Sequence, residues 1–150
     1  MKSIVTDGRD ERFISLCRKL DEYLNDIVGG NEMREKYDQY NTLEDIHDVV
    51  LLLRGETAIA CGSFKEYMTG IAEIKRVFVS KEYRQAGCGR KIMEELEALA
   101  KGKGYRQLIL ETGKPLEGAM KLYKRQGFHI IDNYGQYADM PESICMQKSL

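Results

Sequence analysis

The chain has 150 residues, 43% of them hydrophobic and 31% charged, the profile of one soluble globular domain spanning residues 1–150. Its 23 Lys and Arg against 24 Asp and Glu leave a formal net charge of −1, which excludes a broad basic field for nonspecific nucleic-acid binding. No apolar run approaches the roughly 18 residues that span a bilayer, and the opening Met1-Lys2-Ser3-Ile4-Val5-Thr6-Asp7 turns polar too soon for a signal peptide.

Phe13, Leu16, Leu20, Leu24 and Ile27 recur at steps of three and four and predict an amphipathic helix, ended by Gly29-Gly30. Met33, Tyr37 and Tyr40 suggest a second, shorter helix. Val49-Val50-Leu51-Leu52-Leu53 lies inside a buried strand from Asp48 to Arg54, and Gly55-Glu56 turns it into a strand from Thr57 to Phe64. A polar loop over 65–70 is expected next, then a strand rich in β-branched residues from Ile71 to Val79. The period then changes. Ile92, Leu96, Leu99 and Ala100 share one helical face, stopped by Gly102 and Gly104. Leu108-Ile109-Leu110 is a short buried strand, Ala119, Leu122 and Tyr123 belong to a last helix closed by Gly127, and Phe128–Ile131 and Ser143–Gln147 are two more strands. Hairpins early and helical crossovers late imply an α/β, mixed sheet with helices on both faces.

Cys17, Cys61, Cys88 and Cys145 form no CxxC pair, and His47 and His129 have no partner at metal-ligand spacing. Without an export signal the expectation is a cytoplasmic protein with reduced thiols and no structural metal.

The segment with the most chemical content is Val77-Phe78-Val79-Ser80-Lys81-Glu82-Tyr83-Arg84-Gln85-Ala86-Gly87-Cys88-Gly89-Arg90. A strand runs into a polar loop, and a glycine pair opens a helix. Helix starts leave backbone N–H groups unpaired and carry the positive end of the dipole, so a phosphate or pyrophosphate is a natural guest. Arg84, Arg90 and Lys91 add positive charge nearby. No Gly-Lys-Ser/Thr follows, so this is not a P-loop. Ile92 stands where the dinucleotide fingerprint needs its third glycine. The two glycines also suit a tight strand-to-helix turn with no ligand.

Arg84-x-x-Gly87-x-Gly89, following Glu73-Ile74-Lys75-Arg76-Val77-Phe78-Val79, resembles the acetyl-CoA signature of the GNAT superfamily of N-acetyltransferases. Ala119-Met120-Lys121-Leu122-Tyr123-Lys124-Arg125-Gln126-Gly127-Phe128 is similar to that superfamily's second signature, at a fitting distance. The resemblance runs from Ala58 to Gln147. It implies a largely antiparallel mixed sheet of about six or seven strands flanked by about four helices. It also implies acetyl-CoA as co-substrate, with its pyrophosphate on the amides of Gln85, Ala86, Gly87, Cys88, Gly89 and Arg90. The pantetheine arm would pair with the strand carrying Val77, Phe78 and Val79, which splays from its neighbour, often at a bulge.

The same resemblance implies that Tyr123 is the general acid for the departing thiolate, although a phenol at a helix end also packs well as core. It implies that Glu73 faces the acceptor amine as base, directly or through a water; the competing role is an ion pair with Lys75, Arg76 or another surface cation. Tyr134, Tyr137 and His129 are further candidates around the last strands. Some relatives carry Asn or Gln where this chain has Leu116, so a bond to the pantetheine is expected to be missing. A thiol at a helix start, as in Cys88, is open to activation, but transfer in this family is direct and leaves Cys88 an incidental small residue. A small amine-bearing substrate is expected between the second helix and its loop (Tyr37, Tyr40, Asn41), the Tyr67 loop and the Asn133–Pro141 loop. Glu32, Glu35, Asp38, Glu44, Asp45 and Asp48 would favour a cationic amine or simply form a solvated face. A homodimer through the last strands is compatible with the family. The competing reading is an acyl-CoA-binding or sensing module without transfer activity.

Overall fold

The computed structural model describes residues 1–28, 43 and 45–150. In chain order the elements are β1 (Lys2–Thr6), α1 (Glu11–Val28), β2 (Asp48–Arg54), β3 (Thr57–Met68), β4 (Ile71–Val79), α2 (Cys88–Gly102), β5 (Gln107–Gly113), α3 (Glu117–Arg125), β6 (His129–Ile131) and β7 (Ser143–Ser149). The strands form one seven-stranded sheet in the order β1-β2-β3-β4-β5-β7-β6. β1 to β4 make an antiparallel meander. β4 and β5 are parallel, as the helical crossover through α2 requires. β7 enters between β5 and β6, antiparallel to both.

The unbroken apolar run of β2 has a simple cause: both faces of the sheet are covered. Val49, Leu51 and Leu53 pack with Phe13, Leu16, Cys17 and Leu20 of α1. Val50 and Leu52 point the other way, into a core with Ile92, Met93 and Leu96 of α2 and Tyr123 of α3. α2 lies so close to β3 that a Cβ at Gly62 would stand 2.5 Å from Ile92 Cγ2 and 2.7 Å from Leu96 Cδ1.

Three expectations need correction. β1 was not foreseen; only Ile4 and Val5 among its five residues are large and apolar, and as an edge strand it keeps Val5 60% exposed. The polar stretch expected as a loop over 65–70 is mostly strand, because β3 runs on to Met68 with Lys65 opposite Glu73 and Glu66 opposite Ala72. The described residues hold three α-helices rather than about four. The second helix of the sequence reading, with Met33, Tyr37 and Tyr40, lies outside the described residues, as do Gly29-Gly30.

Candidate active site

β4 and β5 pair only over Ile71, Ala72 and Glu73 against Gln107, Leu108 and Ile109. β4 continues to Val79 and β5 to Gly113, so past Glu73 the two strands part. A bulge accompanies the parting. Between the pairs Ser63–Lys75 and Cys61–Phe78, two residues of β4 stand against one of β3, and Arg76 takes a φ of +57°. The opening belongs to a cleft of about 1350 Å³ that reaches from Gly87, Gly89 and Glu94 to Tyr137 and Glu142. Small-ligand sites usually measure about 300–1,000 Å³, so this one accepts an extended guest.

At one end lies the glycine loop. Gly87 caps α2 at φ +82°, with nothing within 4 Å of where a Cβ would be. Gln85, two residues earlier, also takes a left-handed φ of +63°. The first bond of the helix runs from the Lys91 amide to the Gly87 carbonyl at 3.0 Å, so the amides just before it have no partner within the helix, and no side chain caps them. Gly89 serves a different purpose. A Cβ there would meet Leu122 Cδ2 at 3.0 Å, so its absence lets α3 pack on the start of α2. The two sequence blocks thus touch.

The cations around this loop are less available than the sequence suggests. Arg90 bonds Glu94 at 2.8 Å and Lys91 approaches Glu95 at 3.2 Å, both one turn along the helix. Arg84 turns back instead, its Nε donating to the Val79 carbonyl at 3.0 Å while its guanidinium lies 4.6 Å above the ring of Tyr23 on α1. Cys88 is 3% exposed, its side chain inside the α2–α3 core, which suits a small packing residue rather than a nucleophile.

At the other end Glu73 is 2% exposed yet lines the cleft. Tyr134 donates to its Oε2 at 2.6 Å, and Lys75 Nζ stands 3.6 Å from its Oε1. Lys75 also donates to the Tyr137 hydroxyl at 3.4 Å. Burial holds the Lys75 amine below its ordinary pKa, with Glu73 pulling the other way. Burial and then Glu73 push Tyr134 far above the usual phenol range. Tyr67, Tyr134 and Tyr137 meet edge to face, at centroid separations of 5.2 and 5.6 Å. The loop between β6 and β7 is tied from within: Asn133 Nδ2 donates to the carbonyls of Tyr137, Met140 and Ser143. Asn133 therefore shapes this loop.

Tyr123 is 8% exposed, buried beside Phe128, and lines the same cleft. Burial, then the charge of Glu111, raises its phenol well above its ordinary value, so it stays protonated at neutral pH. Glu111 on β5 accepts from Ser143 Oγ at 2.8 Å.

The structure thus brings Glu73, Tyr123, Tyr137, the β4 segment Val77–Val79 and the glycine loop onto one cleft. His129 and His47 are exposed away from its lining. Leu116 precedes α3 without any side-chain cap. Tyr37, Tyr40, Asn41 and the acidic residues Glu32, Glu35, Asp38 and Glu44 lie outside the described residues. Sequence reasoning offered Lys75 only as a surface partner for Glu73, whereas the structure buries that pair at the cleft; it missed Glu111 and Tyr23 altogether. Glu111 looked like one more strand-end charge. Among the described residues no cluster of three His, Cys, Asp or Glu could hold a metal ion, and no helix is long and apolar enough to cross a membrane.

A strand that leaves its neighbour beside an uncapped helix start is suited to a long, phosphate-bearing ligand, which it would meet as an added strand. The chain belongs to the acetyltransferase (GNAT) family, whose model matches residues 14–128, and it is an acyltransferase. It is 32% identical over 138 residues to an IAA acetyltransferase of Azospirillum brasilense, covering 91% of this chain and 90% of that protein. It is 33% identical over 98 residues to the uncharacterized N-acetyltransferase YsnE of Bacillus subtilis (strain 168), covering 64% and 65%. The fold matches PaiA N-acetyltransferase from Thermoplasma acidophilum, solved in complex with coenzyme A, at a TM-score of 0.76 with 21% identity and full coverage of both chains.

Proposed function

We propose that this enzyme moves an acetyl group from acetyl-CoA directly to a primary amine of a small molecule, an amino acid or a peptide. The observation that carries the reading is the parting of β4 from β5 past Glu73, next to the glycine-opened helix, in a cleft that also holds Tyr123. The amides of Gln85 to Arg90 would receive the pyrophosphate, and the backbone of Val77, Phe78 and Val79 the pantetheine arm. The absence of any obstacle around Gly87 supports that fit. Acetyl-CoA supplies the activated acetyl group as a thioester.

Glu73 accepts the proton that the acceptor nitrogen must lose, directly or through a water, as its new bond to carbon forms. Its two held oxygens support this role: a carboxylate fixed by Tyr134 and Lys75 loses little freedom on engaging an amine. Tyr123 gives its proton to the thiolate as the carbon–sulfur bond breaks. The acidic side chains of Glu73 and Glu111 and the rings of Tyr67, Tyr134 and Tyr137 suit a cationic acceptor of modest size.

The test is thiol release from acetyl-CoA across a panel of amino acids, polyamines, aminoglycosides and short peptides. One responding class supports the transferase and names its acceptor chemistry. Binding of acetyl-CoA with silence across a broad panel, and no effect of Tyr123→Phe on any turnover, favours the sensing module instead.

A further inference from the structure

The bulge changes which way β4 faces. Ala72 and Ile74 pack into the α2–α3 core, which leaves Glu73 and Lys75 on the opposite side with Tyr134 and Tyr137. Plain alternation would then put Val77 on the side of Glu73. Instead Val77 and Val79 pack against the α2–α3 core and Phe78 lies in the α1 core. One extra residue has flipped the segment from Val77 to Val79, side chains and backbone groups alike.

That extra residue is held from two directions. Arg76 sits at φ +57°, a conformation that a side chain disfavours. Its guanidinium, 9% exposed, donates from Nη1 to Oδ1 of Asp21 on α1 at 2.6 Å. Its carbonyl accepts from Cys61 Sγ on β3 at 3.3 Å. An ion pair open to water on the Asp21 side contributes little net stability, but its short charge-assisted bond is geometrically demanding, which suits a part that holds something in place.

We infer that the Asp21–Arg76 pair is a positioning device for the co-substrate. Through it α1 holds the bulge, and the bulge presents the backbone of Val77 and Val79 toward the opening. Neither residue needs to touch acetyl-CoA. The inference rests on the proposed function, and it makes α1 part of the co-substrate site although the signature blocks lie far from it in sequence.

The test is the Kd for acetyl-CoA, measured by calorimetry on the full chain, which requires no acceptor. Arg76→Met removes the ionic partner and keeps a side chain at the disfavoured φ. Asp21→Asn is nearly isosteric and its side chain is 41% exposed, so it keeps the fold even if the first variant does not. Each is expected to raise Kd about tenfold, the scale of a coupled pair, and the double variant to bind no more weakly than Arg76→Met, because both break one interaction. Asp26→Asn, on an exposed position of the same helix, is expected to bind as the parent does. An unchanged Kd in Arg76→Met or Asp21→Asn, or additive losses in the double variant, would overturn the inference with the proposed function intact. A parent protein that does not bind acetyl-CoA would overturn both.

Discussion

Tyr134 donates its phenolic proton to Oε2 of Glu73 at 2.6 Å, across 61 positions of sequence. The carboxylate proposed as base is thus oriented by a loop that Asn133 ties together, while Lys75 faces its second oxygen. Hydrogen bonds to charged groups contribute roughly 1.5–3 kcal/mol. Tyr134→Phe should therefore lower kcat/KM for the acceptor by about tenfold or more at an unchanged Kd for acetyl-CoA. Glu73→Gln should cost about 10²–10⁴ in kcat, the usual contribution of a positioned proton acceptor. Steady-state thiol release with the best acceptor of the panel checks both, and full activity in Glu73→Gln would remove the carboxylate from the chemistry.

Tyr123→Phe separates chemistry from binding. The ring still fills its place beside Phe128, so thermal stability and acetyl-CoA affinity should hold while kcat falls about 10²–10⁴-fold. Because burial keeps this phenol protonated beyond its ordinary range, the alkaline loss of kcat assigned to it should lie above pH about 10. Turnover equal to the parent's would leave Tyr123 a packing residue.

The raised phenols also set an alkaline limit to stability. Tyr123, Tyr134 and Tyr137 all hold their protons more tightly folded than unfolded, chiefly through burial. Above pH about 10 the unfolded chain releases these protons and the native one does not, so stability falls as pH rises. Urea unfolding at pH 8 and pH 10.5 should show the drop, reduced in Tyr134→Phe. Equal midpoints would contradict it.

Asp10 sets the matching acid behaviour. It stands just before α1, accepts from the Arg12 amide at 2.9 Å and from Thr6 Oγ1 at 3.0 Å, and pairs with the Arg12 guanidinium. The Arg12 bond above all lowers its pKa to about 2 from 3.8. The folded value is the lower one, so its contribution is complete above pH about 4 and disappears as pH falls toward 2. Asp10→Ala should cost about 1 kcal/mol at neutral pH, as loss of a helix cap does, and nothing more at pH 2. Chemical denaturation at the two pH values decides it.

Gly87 and Gly89 should fail in different ways. Gly87→Ala meets no atom, so its cost is the left-handed backbone, roughly 1–2 kcal/mol, together with weaker acetyl-CoA binding. Gly89→Ala pushes on Leu122 and so moves α3, which carries Tyr123. Its effect should appear in kcat as well as in Kd. Calorimetry and kinetics on the two variants distinguish these profiles.

The bounds of β2 and β4 were legible to the residue: β2 as an unbroken apolar run, because both faces of the sheet are covered, and β4 through its β-branched Ile71, Ile74, Val77 and Val79 despite the charges between them. Local chemistry marked Gly87 and Gly89 as a helix-opening pair, whereas Tyr123 stood out only through the resemblance of its segment to the family's second signature; all three line one cleft. The sequence hid β1, whose edge position leaves half of it wet, and the strand character of Lys65–Met68, whose polar residues pair with β4 at the rim. Glu111 was equally hidden, and Lys75 was read only as a surface cation open to Glu73. Their meaning comes from contacts with Tyr137 and Ser143, residues brought beside them only by the tertiary fold. The clamp between Asp21 and Arg76 joins positions 55 apart and has no local pattern at all.

β7 follows β6 in the chain, yet its place is between β5 and β6. During synthesis the short strand His129–Ile131 emerges before it has any neighbour to bond, and β5 keeps one side bare. The sheet beyond β5 can close only when Ser143–Ser149 leaves the ribosome, at about 5–20 residues per second. That strand also docks the loop bearing Tyr134, since Asn133 bonds the carbonyl of Ser143 at its start. A nascent chain stalled before β7 would therefore carry a finished glycine loop without the docked Tyr134 loop, and would expose unpaired strand edges on β5 and β6 to its neighbours on the polysome.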